Sequence, residues 1–268
     1  MNIVLVTCKT WPALSRGDTE LADELTARGH RVLARPWNDA PLADFTTADL
    51  AVLRSNWDYH HDLHAFASWL DQVDHSGAEL RNPAALVRPH LDKSYLVDLL
   101  ADGFRTPQTL VTADFDLDTV LGWVDDHGLD RVVVKPAWGA SGHGVELAKT
   151  TELPALAGSW QADATRRPML IQEFIPHIHA GEVALVYFAG TFSHAMLRQP
   201  AAGDFRVNGD HGGSASALDH VDPALIDLGS KNEGRFVEFD LHDDVIDTIA
   251  DHVDAGIRWS FREGGLDL

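Results

Sequence analysis

A single cysteine, Cys8, stands in 268 residues. No disulfide can form within the chain, and a cytoplasmic location is the default expectation. Lysine is scarce as well: Lys9, Lys93, Lys135, Lys149 and Lys231 are the only lysines among 21 basic residues. No apolar run reaches the ~18 residues that a membrane span needs, so no membrane association is expected. The opening segment Met1 to Thr7 is too short and too weakly charged for a signal peptide and reads as a buried first strand. Positive charge is short overall. A net charge of −20 argues against nucleic-acid binding through a broadly basic surface. The plain reading of that charge is an acidic, self-repelling surface. A nucleotide is not excluded, because it needs only a local cationic cleft.

The first 80 or so residues alternate strand and helix signals. Ile3 to Thr7, Arg31 to Ala34 and Leu50 to Leu53 read as strands. Thr19 to Arg28 reads as a helix with Leu21 and Leu25 inward and Gly29 as its stop, and His64 to Val73 as another. This order predicts a parallel sheet. The turn after the first strand lacks G-x-G-x-x-G, which disfavours a dinucleotide site there. A second unit is expected from Arg81-Asn82-Pro83 onward. Leu91 to Leu100 reads as a helix, and Thr109 to Val111, Arg131 to Lys135, Val145 to Ala148 and Pro168 to Phe174 as strands. Glu182 to Ala189 and Thr191 to Leu197 suggest a hairpin. Ala201 to Ser216 reads as a functional loop, and Asp243 to Gly256 as a helix.

Three constellations could carry chemistry. In the first, the β-branched run Val132-Val133-Val134 delivers Lys135 to a loop containing Gly139, Gly142 and Gly144. Glycines let backbone N–H groups approach phosphate oxygens, and a lysine offsets charge. The spacing is not that of a P-loop, because the lysine precedes the glycines, and an ordinary hairpin explains it equally well. In the second, the strand Leu170-Ile171 ends in Gln172-Glu173-Phe174-Ile175-Pro176. Its polar pair and aromatic could meet a base edge and a ring, or simply end a strand. In the third, Glu182 precedes Arg198, Asp204, Arg206 and Asn208 and the Gly212-Gly213-Ser214 turn, a set that suits an anionic ligand or a solvated loop. His60 and His64 could share a helix face, but no cysteine or well-placed carboxylate completes a metal site.

Together these segments resemble the ATP-grasp carboxylate–amine ligases, particularly the bacterial glutathione synthetases and ribosomal-protein glutamate ligases. The resemblance rests on Leu91-Asp92-Lys93, Val133-Val134-Lys135-Pro136 with its glycine loop, Gln172 to Pro176, Glu182, and Gly203-Asp204-Phe205-Arg206-Val207-Asn208 followed by Gly212-Gly213-Ser214-Ala215. Arg54-Ser55-Asn56-Trp57-Asp58-Tyr59-His60 and Phe192 to Pro200 are similar to segments of a subgroup that includes the D-cycloserine-forming cyclo-ligase. The resemblance implies an α/β fold. A Rossmann-like pre-ATP-grasp domain over residues 1–82 would precede an ATP-grasp domain over residues 83–268, whose two α+β subdomains (83–170 and 171–268) clasp ATP.

It also implies roles by position. Lys93 and Lys135 would contact ATP phosphates. Gly139, Ala140, Ser141, Gly142 and Gly144 would cover the triphosphate. Gln172, Glu173, Phe174 and Ile175 would line the adenine pocket, and Glu182 would bind the ribose. Arg206 and Asn208 would sit near the γ-phosphate, with Arg206 and Lys135 as the catalytic pair. Arg54, Asn56, Asp58 and Arg198 would face the substrate. The implied activity joins a small carboxylate to an amine through an acyl phosphate, with ATP and magnesium, and the implied assembly is a homodimer. The magnesium ligands can be placed in two ways. In one, Asp227 ends a strand and Glu238 and Asp240 end the next. In the other, Asp222 to Leu228 begins a helix, and the chain diverges before any metal ligand. The second would make it a truncated or impaired ATP-binding protein without the usual magnesium site.

Overall fold

A computed structural model describes residues 1–104, 106–164, 167–188 and 191–231. The fold comprises two compact units. One holds Met1–Arg88, Val183–Leu197 and the described residues from 216 onward. The other holds Pro89–Glu182 and Arg198–Ala215.

In the first unit, β1 (Asn2–Thr7), α1 (Arg16–Ala27), β2 (Arg31–Pro36), α2 (Leu42–Thr46), β3 (Leu50–Leu53), α3 (Leu63–His75), β4 (Leu80–Arg81) and α4 (Ala84–Val87) follow in order. The strands form a parallel sheet in the order β2-β1-β3-β4, as the alternating pattern predicts. A central parallel strand is covered on both faces, so β1 is buried from Ile3 to Thr7. Ile3 and Leu5 pack with Leu21 and Leu25 of α1, and with Leu50 and Val52. α1 starts where the Ser15 side chain accepts the Asp18 N–H, and Gly29 follows its end at a φ of +89°. α3 buries Phe66, Trp69, Leu70 and Val73 at helical spacing. Trp37 and Phe45 meet its aromatics edge-on, with centroids 5.0 Å (Trp37–Phe66) and 5.1 Å (Phe45–Trp69) apart. Core packing thus accounts for these tryptophans.

The second unit contains α5 (Tyr95–Ala101), β5 (Thr109–Thr112), α6 (Leu117–Asp126), β6 (Arg131–Pro136), β7 (Glu146–Lys149), α7 (Leu153–Ala164) and β8 (Met169–Glu173). Its sheet runs β5-β8-β6-β7 with antiparallel neighbours. Side chains alternate across a strand with period two, and this decides what each face carries. Val132 and Val134 of β6, with Met169 and Ile171 of β8, pack on Val120, Val124, Leu153, Ala157 and Trp160 from α6 and α7. Val133 points the other way, into a smaller cluster with Phe174, Ile178 and Val207. Lys135 shares the parity of Val133. α7 gives little sequence contrast because two of its four buried positions are Ala157 and Ala164.

β9 (Glu182–Phe188), β10 (Thr191–Gln199) and β11 (Ser214–Ala217) form a three-stranded sheet in the order β11-β10-β9. Val186 of β9 joins the core around Ile3 and Leu5. The segment expected as a loop up to Ser216 therefore ends in a strand, after a short 3-10 turn at Gly209–His211. α8 (Pro223–Lys231) corrects the strand expected to end at Asp227, which is instead an exposed helical residue. The physical reason lies at its start: the Asp222 carboxylate accepts the Ala224 N–H at 2.8 Å, and proline occupies the first helical position. The helix expected at Asp243 to Gly256 lies outside the described residues.

The segment after β3 is anchored below the surface. Arg54 Nε donates to Asp18 Oδ1 at 2.6 Å and Ser55 Oγ to Asp18 Oδ2 at 2.5 Å. The Arg54 and Asp18 side chains are 7% and 2% exposed. A buried pair broken on one side leaves an uncompensated charge, at a cost of about 3–5 kcal/mol. Arg54→Met is therefore expected to lower the unfolding free energy by about 3 kcal/mol in urea denaturation followed by circular dichroism. Asp18→Leu added to it should restore most of that loss, and a single variant as stable as the parent would contradict the assignment.

Candidate functional site

Lys135 lies at the end of β6 and is 2% exposed. On its side of the sheet a pocket is lined by Lys135, Gly142, Val145, Ile178, Glu182, Phe205, Arg206, Val207 and Asn208, all within the second unit. Five of the residues expected to bind nucleotide therefore come together: Lys135, Gly142, Glu182, Arg206 and Asn208. Two cations, a carboxylate and a carboxamide are set against an apolar wall of Val145, Ile178, Phe205 and Val207.

The glycine loop is held at its base. Lys93 donates twice, through Nζ to the Gly139 carbonyl at 2.8 Å and through its backbone N–H to the Ala137 carbonyl at 2.9 Å. Trp138 Nε1 donates to Asp92 Oδ2 at 3.0 Å, and Arg167 to the Trp138 carbonyl at 3.1 Å. Lys93 thus anchors the loop that Lys135 introduces. Ser141 sits at a φ of +54° and Gly142 at +67°. A side chain on Gly142 would strain that backbone and come 3.1 Å from both Asn208 Oδ1 and the His211 ring.

Arg206 is aimed by a neighbour. Its Nε and Nη2 donate to the two oxygens of Asp204 at 3.0 and 2.7 Å, and Asp204 Oδ1 also accepts the N–H groups of Phe205 and Arg206. This two-pronged pairing leaves the remaining guanidinium N–H donors of Arg206 outside the fork. The Arg206 hydrogen bonds, against the opposing effect of burial, hold the Asp204 carboxyl well below the usual carboxylate range, and the same bonds raise Arg206 above its ordinary value. Gly213 lets the following turn fold onto this segment. A side chain there would collide with the Val207 carbonyl.

The expected adenine-lining residues divide. Gln172 shares a face with Val133, its partner across the sheet, and donates through Nε2 to Thr109 Oγ1 at 2.8 Å. Phe174 packs edge-on to Phe205 at 6.1 Å, with the Arg131 guanidinium 4.9 Å from its ring centre. Glu173 turns to the neighbouring strand, where its carboxylate accepts the Gln108 N–H at 3.3 Å. Ile175 is half-buried at the end of the strand.

The expected substrate-facing residues are largely committed elsewhere. Arg198 Nη1 lies 3.1 Å from Glu182 Oε1, with both side chains nearly buried. Arg54 is held by Asp18. Asp58 accepts hydrogen bonds from Trp37 Nε1 (2.8 Å), Asn38 Nδ2 (3.0 Å) and Thr10 Oγ1 (3.2 Å). Burial alone would raise its carboxyl, but these donors outweigh that and lower it. Asn56 is half-buried, and its carbonyl accepts the Tyr59 N–H. The outward residue of the segment is Trp57, 43% exposed, with Trp11 edge-on at 5.7 Å. His60 and His64 lie in separate elements, a 3-10 turn at Tyr59–His61 and α3. Sequence reasoning missed the apolar wall at Val145 and Ile178, and it missed His211. The only signal for the wall is the parity of Val133. For His211 no signal precedes the three-dimensional contact.

Glu238 and Asp240 lie outside the described residues. Among the described residues no group of three or more His, Cys, Asp or Glu side chains is placed to hold a metal ion. The pocket's own carboxylate, Glu182, and Asp204 beside Arg206 are each paired with an arginine. Among the described residues, no helix is long and apolar enough to cross a membrane.

Known proteins share parts of this sequence and this fold. Residues 3–82 match the family model of the D-cycloserine synthetase DcsG N-terminal domain. Residues 99–226 match that of the prokaryotic glutathione synthetase ATP-grasp domain. The glutathione synthetase of Bradyrhizobium diazoefficiens is 30% identical over 251 residues, 89% of this chain and 74% of the relative. The cycloserine biosynthesis protein DcsG of Streptomyces lavendulae is 30% identical over 168 residues, 60% of this chain and 54% of the relative. Among solved structures, D-cycloserine synthetase DcsG superimposes with a TM-score of 0.73 at 20% identity, covering 100% of this chain and 94% of that one. A RimK-domain ATP-grasp protein from Sphaerobacter thermophilus gives 0.66 at 19% identity, covering 88% and 82%.

The Asp204–Arg206 fork yields a pH prediction. Because the folded carboxyl is lowered, the stability it contributes is full above its unfolded value near pH 4 and is lost as pH falls below that. Asp204→Asn should be less stable than the parent by a constant margin from pH 7 to about pH 5, and the margin should shrink below about pH 4. Denaturant titrations at several pH values check this, and a margin that changes between pH 7 and 5 would contradict it.

Proposed function

The chain belongs to the ATP-grasp carboxylate–amine ligases, and we propose that it activates a small, amino-acid-like carboxylate as an acyl phosphate for attack by an amine. The observation that carries this reading is the convergence of Lys135, Arg206, Asn208 and the glycine loop on one pocket. The substrate carboxylate oxygen attacks the γ-phosphorus of ATP, and the bond to the β–γ bridging oxygen breaks, releasing ADP. The amine then attacks the acyl carbon and displaces phosphate. Negative charge accumulates on the phosphoryl oxygens in the first step. The Lys135 ammonium and the Arg206 guanidinium offset it, and Asp204 keeps the guanidinium aimed beforehand. Backbone N–H groups of Gly139 to Gly144 would wrap the phosphates and exclude water, which otherwise hydrolyses the acyl phosphate. Glu182, steadied by Arg198, is the proposed acceptor for the ribose hydroxyls. The apolar wall and Phe174 would take the adenine.

The helix at Pro223–Lys231 favours the alignment that brings no metal ligand at Asp227. That supports a second reading, in which the protein binds ATP without turning it over.

An assay of ADP release, run with panels of amino acids and amines, separates the two. The ligase reading predicts ADP formation that needs both an acid and an amine, with a ligated product in equal amount. ATP raising the melting temperature without ADP release from any pair would sink the ligase reading and support the second.

A further inference from the structure

The glycine loop is tied at two points, not one. At its base Lys93 holds Gly139. At its tip the half-buried His211 places Nε2 3.1 Å from the Ser141 carbonyl oxygen. A carbonyl only accepts, so Nε2 carries the proton in this contact. Both the neutral Nε2–H tautomer and the imidazolium meet that need. His211 lies in the 3-10 turn that follows Asn208, on the segment carrying Arg206. The loop tip and the segment carrying Arg206 and Asn208 are thereby joined by a hydrogen bond. The fit is close: the Cβ position of Gly142 is 3.1 Å from Asn208 Oδ1 and from the imidazole. The residue bonded to His211, Ser141, also holds a left-handed backbone (φ +54°) that non-glycine residues seldom adopt.

We propose that His211 is a positioning residue that latches the glycine loop, through Ser141, to the segment bearing Arg206 and Asn208. The inference rests on the ATP-site reading of this pocket. The latch fixes the distance between the loop amides and Arg206, so the phosphates meet a formed cradle instead of ordering a loose one. It also keeps water from the acyl phosphate. Where the latch is missing, water adds to the acyl carbon and phosphate leaves, which regenerates the carboxylate and spends ATP without product.

Three measurements on the full chain test this. Amide hydrogen exchange in the nucleotide-free protein reports the latch directly. His211→Ala should speed exchange over residues 139–145 at least about 5-fold, with the β6 amides unchanged, and His211→Gln, which keeps a donor, should remain near the parent rate. In turnover, His211→Ala should raise KM for ATP about 10-fold while kcat changes less than about 3-fold, since the tie acts on nucleotide binding. It should also raise the ratio of ADP to ligated product above one, and His211→Gln should restore both. Unchanged loop exchange in His211→Ala would overturn the proposal, as would a glutamine variant that behaves like alanine. If the parent protein neither binds nor cleaves ATP, the ATP reading fails, while the exchange experiment still decides the latch.

Discussion

Everything at the site depends on the two-residue alternation of β6. Val132 and Val134 must enter the core under α6 and α7, because that is where the apolar area is buried. Val133 and Lys135 are then forced onto the opposite face. A register slip of one residue would drive the ammonium into the valine core and the valines into the pocket. The position of the one deeply buried lysine among the described residues is therefore fixed by hydrophobic packing, with no device of its own. An ammonium withdrawn from water has to be met by polar groups. That cost makes a cleft able to receive a polyanion the natural surroundings for such a residue.

A second constraint acts on the loop that follows. A flexible backbone can approach phosphate oxygens only if something limits where it goes. Here the limits are bonds to other segments: Lys93 at Gly139 and His211 at Ser141. Arg206 is restricted likewise by Asp204. On the proposed reading, the groups that must meet a developing charge are oriented before the ligand arrives, which is the condition under which such groups accelerate a reaction. The first unit shows the same economy of fixed polar groups. Asp18 and Asp58 each gather several donors below the surface.

Much of this was legible in the sequence, and the failures have physical reasons. The parallel sheet could be read because Ile3 to Thr7 and Leu50 to Leu53 are short apolar runs bounded by turn residues. The residues that line the Lys135 pocket could be read as one set because they form motifs in a recognisable order. The substrate-facing set could not be read as reliably. An arginine or aspartate after a strand looks the same in sequence whether it faces a ligand or a buried partner, and Arg54 and Asp58 have the partners. Asp227 could be read two ways: its spacing from the next carboxylate suggested a strand end, while Asp222 and Pro223 just ahead of it suggested the helix that the fold shows. His211 gave no sign, because its role arises only from a contact between segments some 70 positions apart.

On the proposed reading the Lys135 pocket is the nucleotide site. Calorimetric titration of ATP into the parent protein and into Lys135→Met tests it most directly, since methionine nearly preserves the volume and removes only the charge. Binding by the parent is expected, with an affinity at least about 10-fold weaker in the variant, a difference of about 1.4 kcal/mol. Equal affinity in the two proteins would contradict it.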